Sequence, residues 1–383
     1  MRPALKPGLL PVWRDRDTLQ IGIDSRRAVA LTGMAGIAWV IGLLDGSRDR
    51  AQVIEAAVDR GIPAETAERV LALLATAGAL DDFPAGTLRV LPLPLRARLA
   101  AELATVSLAH GDGDGGARTL ARRLAARICI HGGGRVGAGI AGLLKASGIG
   151  RVTHASPGDD GLIPPGAVPP GQEPPGPEQP GKNQSGREPG EEPTGREPPG
   201  EEPTGRKQSR RELTGRKQSS QAPPGRKRPG RAPTGQARPD LAILVGRQPM
   251  ELRARLMREQ IPHLAASADE AIGIVGPLVI PGRTACLRCM DLTRTDRDPA
   301  WPLILAQLAG RAPDPLACDA PLAAAVAAQA AAQGLAFIDR AAVADAVTNG
   351  TLELVLPGWQ WRRRTWMPHQ DCSCSSTTFR RGE

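Results

Sequence analysis

A chain of 383 residues has room for about two or three domains and a sizeable core. With no Tyr, three Phe and six Trp, that core must be built from Leu, Val, Ile and Ala. The formal charge of +9 rests almost entirely on Arg, since only six of 49 basic residues are Lys, and no helix face gathers it, which argues against a nucleic-acid partner. No run reaches roughly 18 apolar residues and the N-terminus lacks a signal-peptide core, so the expectation is a cytoplasmic protein with no membrane partner. Six cysteines in that compartment point to a metal or to isolated thiols rather than to disulfides.

Residues 1–85 read as a small domain of their own. Thr18 to Ile23 alternates, with Leu19, Ile21 and Ile23 facing inward, and Ala28 to Leu31 answers it as a hairpin. Three helical patterns follow: Gly36 to Leu44; one capped by Ser47 and ending near Arg60; and one opened by Pro63 that runs to Ala77 before Gly78. A hairpin with three helices is a winged-helix arrangement, but the third helix offers Arg69 against Glu65 and Glu68, too little for DNA. Residues 86–126 form a helical bridge (Leu95 to Leu108, then Ala117 to Ala126) around the connector 110–116, a loop that lacks the length and terminal Glu of a calcium site.

Residues 127–156 organise the rest. Ile128 to Ile130 reads as a buried parallel strand, Gly132, Gly134 and Gly137 have the G-x-G-x-x-G spacing, Ala138 to Ser147 is an amphipathic helix, and Arg151 to Ala155 a second strand. Such a loop and helix start favour a bound anion. A nucleotide site of this kind places Asp or Glu after the second strand to hold the ribose; here His154-Ala155-Ser156-Pro157 carries no carboxylate.

Residues 157–239 are low in complexity: 34 of 83 are Pro or Gly, and Gly-Arg recurs at 186, 195, 205, 215 and 225 without apolar positions to bury. Acidic residues dominate 159–202 and basic ones 203–239, so the expectation is a disordered insert splitting the α/β domain. That domain resumes with the strand Leu241 to Val245 and a helix from Glu251 to Gln260. A strand begins near Pro262, and Gly273 to Ile280 supplies another. A core helix from Leu322 to about Ala336 and the hairpin Thr351–Leu356/Trp359–Trp366 complete it.

Cys286-x-x-Cys289 and Cys372-x-Cys374 offer two close pairs of thiolates. Zn²⁺ takes four soft ligands in a tetrahedron, and two tight turns supply them; a site so filled is structural. His369 could replace one thiolate. Cys318, just before a helix, could be a nucleophile, although a lone cysteine is more often a small core residue, and Cys129 inside the first strand reads as core.

Strand, glycine loop and helix, then GIVGPLVIPGRTACLRCMDLTRTDRDPAWP, an Ala-rich helix and PHQDCSC resemble the ThiF/MoeB family of ubiquitin-activating-enzyme-like adenylyltransferases. The wording around Cys286 is closer to a branch of it: the ThiF-like, cyclodehydratase-associated proteins of thiazole/oxazole-modified peptide biosynthesis, which bind precursor leaders. The N-terminal unit resembles in architecture the PqqD-like recognition element of those pathways. The resemblance covers 87–156 and 240–383 and implies zinc at Cys286, Cys289, Cys372 and Cys374. It also implies acidic ligands for Mg-ATP that this chain lacks: Ser156 stands after the second strand, and the turn after Val245 reads Gly246-Arg247-Gln248-Pro249.

The fold expected is therefore α/β: a Rossmann-like, ThiF-type domain (127–156 and 240–383) with a mainly parallel sheet and structural zinc, preceded by a winged-helix domain (1–85) and the bridge (86–126), and interrupted by the disordered insert (157–239). The function implied is a leader-peptide scaffold that presents its cargo to a YcaO-type cyclodehydratase. Gly132, Gly134 and Gly137 are then a degenerate nucleotide loop with ATP not expected, there is no catalytic residue, and Arg14, Arg16, Arg26 and Arg27 steer a leader to the hairpin edge. A homodimer stays open. A working adenylyltransferase and an NAD(P)-dependent oxidoreductase are the competing readings.

Overall fold

Among the described N-terminal residues, β1 (Pro3–Leu5), β2 (Pro11–Trp13), β3 (Thr18–Ile21) and β4 (Val29–Thr32) precede α1 (Ile37–Gly42), α2 (Arg50–Asp59), α3 (Ala64–Thr76) and β5 (Leu80–Asp82). The structure, a computed structural model, describes residues 1–33, 36–83, 86–89, 91–155, 238–309, 317–341 and 346–374. These fall in one of the chain's two units, 1–167 with 237–383; the other, 168–236, lies outside the described residues, as do the expected disorder and repeat of the insert.

β3 and β4 form the expected hairpin, but β2 pairs with the other edge of β3, giving a three-stranded antiparallel sheet, while β1 pairs with β5. These short strands contain Pro3 and Pro11 and carry no alternation from which to read them. Leu19 and Ile21 are buried as expected, whereas Ile23 is 74% exposed. Gly22, at φ +86, ends the strand before it and breaks the alternation. Ser47 does not cap α2: Asp49 does, in a reciprocal capping box with Gln52, and Ser47 bonds Asp45 instead.

The bridge consists of α4 (Gly86–Arg89), α5 (Leu93–Arg98), α6 (Ala100–His110) and α7 (Ala117–Ala125). The helix expected from Leu95 to Leu108 is thus two, parted at Leu99. The connector before α7 is held by Asp114, whose carboxylate accepts from the N–H groups of Gly116, Ala117 and Arg118 at 3.0–3.1 Å. A buried cation ties this bridge to the N-terminal strands. Lys6 lies 3.7 Å from Asp81 and donates to the Ser107 carbonyl at 2.8 Å, and the Ser107 hydroxyl donates back to Asp81.

The main sheet begins with β6 (Arg127–His131), β7 (Arg151–Ala155), β8 (Leu241–Val245) and β9 (His263–Asp269), parallel in the order β7-β6-β8-β9. β10 (Ile272–Val279), β11 (Gly350–Val355) and β12 (Gln360–Thr365) continue it antiparallel. Half of the sheet is therefore parallel; in the other half short hairpins join β9 to β10 and β11 to β12, while β10 reaches β11 only after a long helical excursion. α8 (Gly134–Ala146) starts four residues earlier than its apolar pattern, directly on the glycine loop. α9 (Met250–Arg258), α10 (Leu287–Arg297), α11 (Trp301–Ala309) and α12 (Ala320–Asp339) complete the described helices. α10 and α11 escaped the sequence reading.

α12 is apolar and long enough to span a membrane by composition, but half of its apolar window is buried and it serves as the core helix over α8, β9 and β10. It lies unusually close to its neighbours. A Cβ on Gly139 of α8 would be 2.8 Å from Ala327, and one on Gly273 of β10 would be 2.5 Å from Val326, so the missing Cβ atoms of these two glycines set the spacing. Its last residue, Asp339, sits at the end where a helix dipole disfavours an acid. Buried Arg123 offsets this, donating at 2.6 and 2.9 Å, with Glu102 at 3.4 Å from the same guanidinium and His110 at 3.7 Å from Asp339. Arg122 adds a bond to the Asp339 carbonyl at 2.6 Å. Asp339→Ala leaves Arg123 buried without its main partner, and chemical denaturation should record a loss of roughly 3–5 kcal/mol.

Candidate functional site

Three places concentrate chemistry-bearing residues. The first is the cysteine cluster. Cys286 is the N-cap residue of α10 and Cys289 lies in its first turn, where the helix dipole favours thiolate charge. The turn before them is fixed by Thr284, whose hydroxyl accepts from the Ile280 N–H at 2.8 Å, and by Asn349, whose carbonyl accepts from the Ala285 N–H at 2.7 Å. Asn349 also accepts from the Trp366 N–H at the end of β12, so one residue aligns both cysteine-bearing segments. Cys372 and Cys374 then fold back over α10.

The four sulfurs lie within 4.8 Å of one another, with Cys286–Cys289 at 3.7 Å, Cys286–Cys372 at 3.6 Å and Cys289–Cys374 at 3.3 Å. Tetrahedral thiolates at about 2.3 Å from a zinc-sized ion stand about 3.8 Å apart, so the set fits a metal ion with small adjustments. Three of the four are buried and Cys374 is half-buried. The hydrogen bond from Cys286 stabilises a thiolate at Cys289 and lowers its pKa, whereas that same bond and burial raise Cys286. Cys374 is pushed up by burial first and by its contact with Cys289 second. His369 is not a fifth candidate ligand, because its ring faces Asp296 at 2.8 Å.

The second place is the crevice at the ends of the parallel strands. Gly132 has φ +99, and a Cβ there would lie 2.3 Å from the Val245 carbonyl oxygen, so glycine is required by close approach of β8. Gly134 opens α8, and a Cβ on Gly137 would press on the Gly132 carbonyl at 3.1 Å. The Gln248 amide spans the loop, donating to Val245 at 2.6 Å and to His131 at 3.3 Å. Ser156 lies outside the described residues. Sequence reading missed Asp269, at the end of β9; burial raises its pKa while Arg247 pulls the other way. A carboxylate closing a parallel strand was the available signal. Cys318 is half-buried with a thiol raised by burial and then by Asp269, the reverse of an activated nucleophile. Cys129, expected in the core, is only half-buried in β6.

The third place is the three-stranded sheet. Arg14 and Arg16 sit in the β2–β3 connection and Arg26 and Arg27 in the β3–β4 connection, at opposite ends of β3, so the sheet does not bring the four together. Arg26 grips Asp24 at 2.8 and 2.9 Å and holds its carboxyl at about 2, while Arg27 donates to the Leu108 carbonyl. β2 is exposed at all three residues, and its outer edge is unpaired among the described residues. A cavity of about 330 Å³ opens beside it, walled by Leu5, Pro11, Trp13, Leu19, Ile41 and Leu44.

No family model and no curated protein matches the chain. Solved structures do, and they show the fold: that of the ThiF/MoeB-like proteins, as the sequence resemblance implies. The particular neighbours include a heterocyclase in complex with substrate and cofactor (TM-score 0.57, 15% identity, 97% of this chain) and the heterocyclase TruD (0.55, 14%, 98%). This chain spans only 39% and 42% of those two. Escherichia coli MccB, solved with AMPCPP and MccA among other states, is matched over 98% of this chain and 99% of its own length (0.57, 12%). Purified without chelator, the protein should carry one metal ion per chain by elemental analysis, and Cys289→Ser should lose it together with several degrees of thermal stability.

Proposed function

We propose that the protein is a leader-peptide scaffold of ribosomal peptide modification, acting in the cytoplasm beside a separate YcaO-type cyclodehydratase. The observation that carries the reading is β2: an edge strand with free backbone groups above an apolar cavity, in the unit that precedes a ThiF-like body. An extended peptide can add a strand there through main-chain hydrogen bonds and seat a side chain between Trp13 and Ile41. The N-terminal unit, bounded near residue 85, is then a PqqD-like element, winged-helix in character, and Arg14 and Arg16 steer an acidic leader toward the nearby end of β2. Arg26 and Arg27, already engaged, contribute less.

The metal is zinc, held by Cys286, Cys289, Cys372 and Cys374. Four thiolates fill its coordination, so what it supplies is a cross-link between the tail and α10 and not a reactive position. The crevice supports a non-adenylating role. Gln248 presents an amide over the glycine loop where magnesium and phosphate would call for carboxylates, and Asp269 stands beside Arg247. With Mg-ATP, and with or without precursor peptide, the chain should show no pyrophosphate exchange; robust exchange would establish the adenylyltransferase reading instead.

Leader binding tests the scaffold directly. Titrating a labelled cognate leader into the full chain, Trp13→Ala should weaken binding by about tenfold or more. Reversing Arg14 and Arg16 to Glu should weaken it at low salt with little change in melting temperature, and reversing Arg26 and Arg27 should do less. Equal affinity for the wild type and the Trp13 variant would place recognition elsewhere.

A further inference from the structure

His369 is not a ligand in the cysteine cluster, yet all four of its polar groups are committed beside it. Its backbone N–H donates to Cys289 Sγ and its carbonyl accepts from the Cys372 N–H at 3.0 Å. Ring Nδ1 accepts from the Asp371 N–H at 3.1 Å, so in this arrangement the ring proton is on Nε2, which donates to Asp296 Oδ2 at 2.8 Å. Asp296 lies seven residues after Cys289 on α10, two turns along and on the same side of the helix. The tail therefore grips α10 twice, through a sulfur at one end and through the imidazole at the other. The ring is nearly buried, 9% exposed, although Asp296 itself is open to solvent.

We propose that His369 is a positioning residue for the metal centre: its ring clamps the Cys372-x-Cys374 hook to α10 and so sets how long the ion is kept. Two cysteines on an irregular segment beyond the last strand are mobile ligands unless something else fixes the hook. A hook held in place rebinds the ion after one sulfur lets go, whereas a free one swings away. The backbone bonds of residue 369 survive any side-chain change, so substitution isolates the contribution of the ring. Partners that orient metal ligands from outside the coordination shell commonly change affinity 10–100-fold when removed.

This rests on the cluster holding a metal, and the experiment separates the two. Zinc-loaded full-length protein is mixed with excess chromophoric chelator and the release rate is followed for the wild type, His369→Ala, His369→Gln, Asp296→Ala and the double Ala variant. His369→Ala and Asp296→Ala should each speed release about tenfold or more, the double variant should be no faster than either, and His369→Gln, which keeps a donor reaching toward Asp296, should recover part of the loss. The cobalt-substituted wild type should give a tetrahedral thiolate spectrum, and its band positions should shift in His369→Ala. Release rates within twofold of the wild type for both Ala variants would overturn the positioning role while leaving the metal centre standing. A wild-type chain that takes up no metal would overturn the centre itself, and the role of His369 with it.

Discussion

Arg123 and Asp339 hold the two halves of the described structure to one geometry. The acid ends the core helix of the α/β body and the base lies on the last helix before the first parallel strand. Neither is tolerable alone: the acid opposes the dipole of α12, and an unpaired buried guanidinium carries a large desolvation penalty. Together they set the distance between α7 and the end of α12. Through Glu102 on α6, and through Lys6, Asp81 and Ser107, that constraint reaches the strands at the N-terminus. The edge strand proposed to bind peptide therefore rests on its own apolar core, which Leu108 of α6 also touches, and is tied to the body through these buried charge networks.

The glycine loop and the cysteine cluster show how differently one fold can be used at its two poles. Gly132 is compelled by the packing of Val245 alone, whether or not a phosphate ever meets the loop. The cysteines pack with Val279, Ala285, Met290 and Trp366, but that packing does not by itself call for sulfur at four neighbouring positions. Four thiols drawn within 4.8 Å and partly buried gain little from one another as hydrophobes, and a cation is what makes such a set favourable. One end of the body thus gathers four cysteines that could hold a metal ion, and at the other the Gln248 amide bridges the carbonyls of His131 and Val245 beside the glycine loop.

Much of this was legible in the sequence because the signals were local. The βαβ unit, the buried run Leu241 to Val245, the Ala-rich helix and the two cysteine pairs each announce themselves within a few residues. What escaped depended on contacts distant along the chain. β1 and β2 are three residues long and exist only because β5 and β3 lie beside them. Asp269 reads as the end of an ordinary strand until Arg247 and Cys318 are seen next to it. Ile23 follows the alternation of its hairpin in sequence, but the positive φ of Gly22 turns it out to solvent. Four arginines near one hairpin look like one patch in sequence, and the sheet sends them to opposite ends.

The central claim is that peptide is bound at the N-terminal sheet and that the parallel-strand crevice of the body is not the recognition site. Hydrogen–deuterium exchange of the full chain, with and without the cognate leader, tests it directly because it reports where backbone amides become protected. The account requires new protection at residues 10–14 and in α1, with the amides of 132–137 and 246–249 unchanged. Protection confined to those crevice amides, with β2 exchanging as freely as before, would contradict it.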